Sequence, residues 1–186
     1  MSCLQPWKLL RSQLVFNHRW CQVRQDTVRL PSGEIIDDYF VNVRPDVALV
    51  MPILPDERVV FVRQYRHGVQ KLLTELPAGT FNPQQETAAV AAQRELQEET
   101  GYTAACLTHL GTLYDNPVKD TNQIHLFLAE MLTAGTPCLD VTEAIELELI
   151  PLADIPQQIS QGHLQVAGTL AALTLGMQVI QQRASL

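Results

Sequence analysis

Glu95, Glu98 and Glu99 stand at i, i+3 and i+4 within Arg94-Glu95-Leu96-Gln97-Glu98-Glu99-Thr100-Gly101-Tyr102. In a helix this spacing gathers three carboxylates on one face. Like charges so placed repel by roughly 0.2–0.5 kcal/mol per pair. The same residues fall in the last turn, where the helix dipole favours cations. A helix carrying both penalties suits a cation that offsets them, and hard divalent ions such as Mg²⁺ take carboxylate oxygens. A solvated glutamate-rich surface is the alternative, since Glu is a common helix former. Arg94 can pair with Glu86 or Glu98, or form only a surface i,i+4 pair with Glu98. Arg63 and Arg66, in Arg63-Gln64-Tyr65-Arg66, carry planar guanidinium groups that match phosphate oxygens bidentately. Arg66 is the favoured phosphate contact with Arg63 behind it, against an arginine snorkelling at a strand end. Trp20 and Tyr39 could stack on a nucleobase, although core packing is the commoner role for a lone aromatic. His67, His109, His125 and His163 show no ligand spacing.

These groups need elements to hold them. Asn82-Pro83 reads as an N-cap with proline at N1, with Gln85 at the capping-box position. The alanine-rich stretch 88–92 favours helix and leaves a slim face for packing, and Gly101 closes the helix as a left-handed residue. Upstream, Val47 to Leu54 is nearly continuously apolar, as in a strand buried on both faces. Asp56-Glu57 turns the chain, Arg58 to Tyr65 returns as a strand, and Leu72 to Leu76 leads into Pro77-Ala78-Gly79. Ala105 to Leu113, Ile124 to Met131 and Glu146 to Ile150 read as further strands. Asp154 to Gln161 and Gln165 to Gln182 read as helices, with Val166, Leu170, Leu173 and Met177 at helical spacing. Residues 7–44 read as short strands around Leu14-Val15-Phe16, Cys21 to Leu30 and Glu34 to Val43, with a hairpin turn at Pro31-Ser32-Gly33. The expectation is an α/β chain with a mixed central sheet between helices and a small N-terminal antiparallel β subdomain. The boundary is expected near residue 45, with residues 1–45 forming that subdomain and 46–186 the larger α/β domain.

Composition narrows the partners. The 186 residues suit one domain with an added subdomain, and 46% hydrophobic content can fill a core. A net charge of −7 disfavours nucleic acid and anionic membrane as partners. An anionic substrate must then be held by local cations and metal. Cys3, Cys21, Cys106 and Cys138 lack zinc or Cys-x-x-Cys spacing, which fits inert thiols in a reducing, cytoplasmic setting. No apolar run approaches the ~18 residues of a spanning helix, and the N-terminus lacks the apolar core of a secretory signal.

From Gly79, the run G-T-F-N-P-Q-Q-E-T-A-A-V-A-A-Q-R-E-L-Q-E-E-T-G-Y resembles the Nudix box of the Nudix hydrolase superfamily. The match is full from Glu86 onward, while six residues rather than the usual five separate Gly79 from Glu86. Together with R-Q-Y-R at 63–66, E-L-P-A-G at 75–79, T-L-A-A-L at 169–173 and the N-terminal strands, it resembles the ADP-ribose pyrophosphatase branch, roughly from Trp7 to Val179. The family's proline-glycine-x-serine-Asp-Glu loop is here Tyr114 to Asn122, keeping Pro117 without the acidic pair.

The resemblance implies an α/β/α sandwich and Mg²⁺-dependent cleavage of a nucleoside diphosphate linked to a moiety X. ADP-ribose, giving AMP and ribose 5-phosphate, is the best single expectation. It implies two or three ions (Mg²⁺, or Mn²⁺ in its place) on Glu95, Glu98, Glu99 and the carbonyl of Ala78, with Arg94 bracing the loop and Glu98 and Arg94 in the catalytic group. A loop acid before the last core strand would ligate metal or activate water. Glu143 aligns best, with Glu146 and Asp140 as rivals. The resemblance also implies a homodimer that exchanges N-terminal strands and covers Leu14, Phe16 and Phe40. Two other functions stay open here: the same cleavage on another sugar nucleotide or a dinucleotide, and a Nudix-fold nucleotide sensor, which would not need all three glutamates.

Overall fold

The computed structural model describes residues 4–139 and 144–185. They fall into two compact units, one built from residues up to Pro45 with Tyr114–Asn122, the other from Asp46–Leu113 with the chain from Gln123 onward.

The first unit is an antiparallel sheet in the order β1 (Lys8–His18), β2 (Cys21–Arg29), β3 (Ile35–Val43). Gly33, at φ 93°, makes the β2–β3 turn in a left-handed conformation, with its N–H on the Leu30 carbonyl at 2.9 Å. The segment 114–122 closes on β3. The Asn42 N–H donates to the Lys119 carbonyl at 2.7 Å, and the Asn42 amide donates to Asp120 Oδ1 at 2.7 Å. Burial opposes ionisation of Asp120, but the hydrogen bonds from Asn42 and Arg44 outweigh it and hold its carboxyl below the ordinary range. β1 is exposed along its whole length, although it carries Leu9, Leu14 and Phe16. It is one continuous strand rather than a short run around Leu14, because cross-strand pairing with β2 continues from Lys8 to His18 through two register shifts.

The second unit has the mixed α/β architecture expected from the sequence. Its elements run β4 (Asp46–Pro52), β5 (Arg58–Arg66), β6 (Lys71–Glu75), β7 (Ala78–Phe81), α1 (Ala88–Thr100), β8 (Thr103–Tyr114), β9 (Gln123–Thr133), β10 (Ile145–Pro151), a 3-10 turn (Leu152–Asp154), α2 (Ile155–Ser160) and α3 (Ala167–Ala184). One sheet has the order β7-β4-β9-β8 and is mixed, β4 being antiparallel to β7 and parallel to β9. The other, β10-β5-β6, is antiparallel. After Asp46, β4 is apolar because both its faces are covered. Ala48 and Val50 pack with Ala91, Ala92 and Leu96 of α1, while Leu49 and Met51 pack with Ile155, Ala172 and Leu173 of α2 and α3. A fully buried leucine such as Leu96 contributes roughly 1.5–3 kcal/mol. Gly176 lets α3 approach this sheet, since a Cβ there would overlap the Met51 sulfur.

The start of α1 corrects the sequence reading. The helix begins at Ala88, with Thr87 as N-cap, its hydroxyl accepting the Val90 N–H at 3.3 Å. Asn82-Pro83 instead opens a turn. The Asn82 side chain accepts the Gln84 N–H at 3.0 Å, and its carbonyl accepts those of Gln85 and Glu86 at 2.9 and 3.1 Å. The Asn side chain thus satisfied local backbone in a turn rather than capping a helix, a competition inherent to this residue. At the other end Gly101, at φ 76°, caps the helix as expected, its N–H on the Gln97 carbonyl at 2.9 Å.

Candidate active site

The β6–β7 connection Glu75-Leu76-Pro77-Ala78-Gly79 is held at every residue. Glu75 accepts from Arg66 Nε at 2.6 Å. The Leu76 N–H donates at 3.0 Å to the hydroxyl of Thr169, a fully buried residue of α3. The Pro77 carbonyl accepts the Val50 N–H at 2.9 Å, and the Ala78 N–H donates to Glu99 Oε2 at 3.1 Å. A Cβ on Gly79 would overlap the Glu95 carboxylate, so glycine there leaves room for that carboxylate against the strand. The additional residue before Glu86 does not prevent that approach.

On α1 the acids divide. Glu95 and Glu99 are buried, at 8% and 4% exposure, whereas the Glu98 side chain is 41% exposed. A solvated face therefore does not describe two of the three. Arg94 lies among them. Its Nη2 meets Glu86 Oε1 at 2.9 Å, and its Nη1 meets Glu95 Oε1 at 2.6 Å and Glu98 Oε2 at 3.0 Å. It thus braces Glu86 and Glu98 at once, with Glu95 added. Glu86 first, then Glu95 and Glu98, push the guanidinium further above its ordinary range, so its charge persists at any working pH.

Beyond α1, a Cβ on Gly101 would stand 2.8 Å from the Gly135 carbonyl oxygen and from the Pro137 nitrogen, and the Cys138 N–H donates to the Glu98 carbonyl at 2.9 Å. The β9–β10 connection is thereby fastened to the acidic end of the helix. Asp140 and Glu143, on its continuation, lie outside the described residues. Glu146 opposes Arg63 in the β10–β5 register, its carboxylate 3.9 Å from Arg63 Nη1 and 82% exposed. Arg63 and Arg66 are three residues apart on one strand, so alternation turns them to opposite faces. Arg63 goes to Glu146 and Arg66 to Glu75.

In the first unit, Trp20 is 76% exposed in the β1–β2 turn, with the Arg19 guanidinium 4.9 Å from its ring centre. Tyr39 meets Trp7 edge-to-face at 5.6 Å and donates its hydroxyl to the Val118 carbonyl at 2.7 Å. Two further residues, Glu75 and Thr169, lay within motifs noted in the sequence without a role of their own. An acid closing a short strand and a threonine within an apolar helix were their only local signals.

The donor set suits a hard cation. Glu86, Glu95 and Glu98 share one guanidinium, Glu99 follows Glu95 by one turn, and the last turn of α1 holds no basic residue. Carboxylates gathered this closely attract a cation, and Mg²⁺ is matched to such oxygens. In the structure Glu86, Glu95 and Glu98 are turned onto Arg94 and Glu99 accepts the Ala78 N–H, and among the described residues no three His, Cys, Asp or Glu groups form a ready metal cage. Gly79→Ala should force Glu95 away from β7 and reduce turnover at least ~10-fold, about 1.4 kcal/mol of barrier. Steady-state kinetics on a variant with native circular dichroism checks this.

Residues 43–170 match the NUDIX domain, and residues 7–42 match the nucleoside diphosphate sugar hydrolase N-terminal domain. The chain therefore belongs to the Nudix hydrolase family. Among relatives, it is 28% identical over 168 residues to an ADP-ribose pyrophosphatase of Bacillus subtilis (strain 168), covering 89% of this chain and 90% of that one. It is 31% identical over 179 residues to a CMP-5'-(N-acetyl-N-hydroxy-3-aminopropyl)phosphonate hydrolase of Streptomyces rubellomurinus, covering 91% and 84%. The crystal structure of an ADP compounds hydrolase superposes with a TM-score of 0.89 over 100% of both chains at 23% identity, a likeness of fold. Among the described residues, no helix is long and apolar enough to cross a membrane.

Proposed function

We propose that this chain hydrolyses the pyrophosphate bond of a nucleoside diphosphate linked to X, with ADP-ribose as substrate and AMP and ribose 5-phosphate as products. The observation that carries the reading is the pairing of the two family matches along one chain, at 7–42 and 43–170, together with a relative of the same extent that is an ADP-ribose pyrophosphatase. Glu95, Glu99 and Glu98, with the Ala78 carbonyl, would hold the divalent ions. Mg²⁺ bound there would neutralise the pyrophosphate and acidify the attacking water. Arg66 receives phosphate oxygens, and Arg94 holds Glu86, Glu95 and Glu98 in place. Glu143 takes the proton from water.

A second reading keeps the bond and changes X, and the CMP-linked phosphonate hydrolase among the relatives favours it. Purified protein with Mg²⁺, offered ADP-ribose, other sugar nucleotides, dinucleotides and CMP-linked phosphonates, separates the two by kcat/KM. Highest kcat/KM on ADP-ribose with AMP as product supports the first, and preference for another X supports the second.

The protein is further proposed to work as a homodimer. β1 leaves Leu14 at 52% and Phe16 at 55% exposure, and Phe40 of β3 is 42% exposed. Exposed apolar side chains of this size are suited to cover by a second copy. Light scattering should give about twice the 20.8 kDa chain mass, and a chain starting near Pro45 should be inactive or poorly soluble. A full-length chain that is monomeric and active at micromolar concentration would contradict the dimer without touching the chemistry.

A further inference from the structure

We propose that Glu75 is a positioning residue that aims Arg66 at the substrate's phosphates. The inference rests on the assignment of Arg66 to phosphate made above.

Arg66 ends β5 and Glu75 ends β6, and the two strands are antiparallel with Arg66 opposite Lys71 and Val62 opposite Glu75. Residues 62, 64 and 66 share one face by alternation, and Glu75 shares it through its pairing with Val62. The Arg66 side chain therefore reaches back along the sheet, where its Nε meets Glu75 Oε1 at 2.6 Å. That brings the guanidinium toward the connection whose Ala78 N–H holds Glu99 and whose Gly79 abuts Glu95.

The pair is asymmetric. Glu75 is 7% exposed, while the Arg66 side chain is 44% exposed. Glu75 engages only Nε, and among the described residues no protein group is hydrogen-bonded to Nη1 or Nη2. The Nη1–Nη2 edge of the fork is the one that grips phosphate oxygens bidentately. A buried carboxylate near a polyanion repels it, so its presence is better explained by what it holds. By fixing a long, rotamer-rich side chain before substrate arrives, it removes ordering cost from binding.

The test measures affinity of the full chain for inorganic pyrophosphate in Mg²⁺ by calorimetry, alongside kcat and KM on ADP-ribose. Glu75→Ala should weaken pyrophosphate binding and raise KM at least ~10-fold, with kcat within ~3-fold, because preorganisation acts on binding. Glu75→Gln retains an acceptor for Nε and should restore affinity to within ~3-fold. Glu75→Asp keeps the charge but shortens the reach, and it should fall between them. It also serves if the alanine variant does not fold, since a merely charge-neutralising role would leave it at wild-type affinity. Arg66→Ala and Arg66→Ala/Glu75→Ala should bind alike, as coupled residues do. Wild-type affinity in folded Glu75→Ala or Glu75→Asp, single losses that multiply in the double variant, or no pyrophosphate binding by the wild type would each overturn the proposal. Glu75-dependent pyrophosphate binding by a protein that hydrolyses nothing on the panel would instead retain this inference and remove the proposed activity.

Discussion

Glu99→Gln should lower kcat at least ~100-fold, about 2.7 kcal/mol of barrier, while leaving the fold intact. Glu99 is 4% exposed and receives the Ala78 N–H on Oε2 at 3.1 Å. Glutamine keeps the shape and an oxygen to accept that N–H, so packing against β7 survives. It removes the negative charge that a divalent ion would use. The loss should therefore appear in turnover and in Mg²⁺-induced thermal stabilisation, which follows ligand binding to the native state. The melting temperature without metal should stay near wild type. Near-normal kcat in a folded variant would take Glu99 out of the site.

The second large effect is expected at the base. Glu143→Gln should lower kcat by at least ~100-fold with KM close to unchanged, as for a group that acts only in the transition state. Glu146→Gln should change kcat by no more than ~3-fold, because its carboxylate is exposed and faces Arg63 at 3.9 Å, a pair of little energetic weight. The reverse pattern would transfer the role to Glu146, three residues further along the chain.

Legibility in the sequence followed how local each signal was. The apolar run 47–54 disclosed a strand buried on both faces, because alternation vanishes when both sides are covered. Gly101 disclosed the helix end, since a left-handed cap has little alternative to glycine. The helix start was misplaced because Asn82-Pro83 and Thr87 offer rival signals, and an Asn side chain serves a turn as readily as a cap. Spacing showed that Glu95 and Glu99 share a face, but not that β7 lies against it. That depended on the contact with Gly79, and on a β6–β7 connection held by Thr169 some ninety residues away. The pairing of Arg66 with Glu75 was equally hidden, since it depends on strand register rather than on sequence neighbours. The membership of 114–122 in the first unit was not visible either, because Asn42 and Asp120 meet only after folding.

The most direct test of the central claim is turnover of ADP-ribose by the purified full-length chain, followed as AMP formation with Mg²⁺ and again in excess EDTA. The expected result is one AMP and one ribose 5-phosphate per ADP-ribose, with hydrolysis abolished by EDTA and restored by Mg²⁺ or Mn²⁺. Undiminished turnover in excess EDTA, or no AMP from ADP-ribose in Mg²⁺, would contradict it.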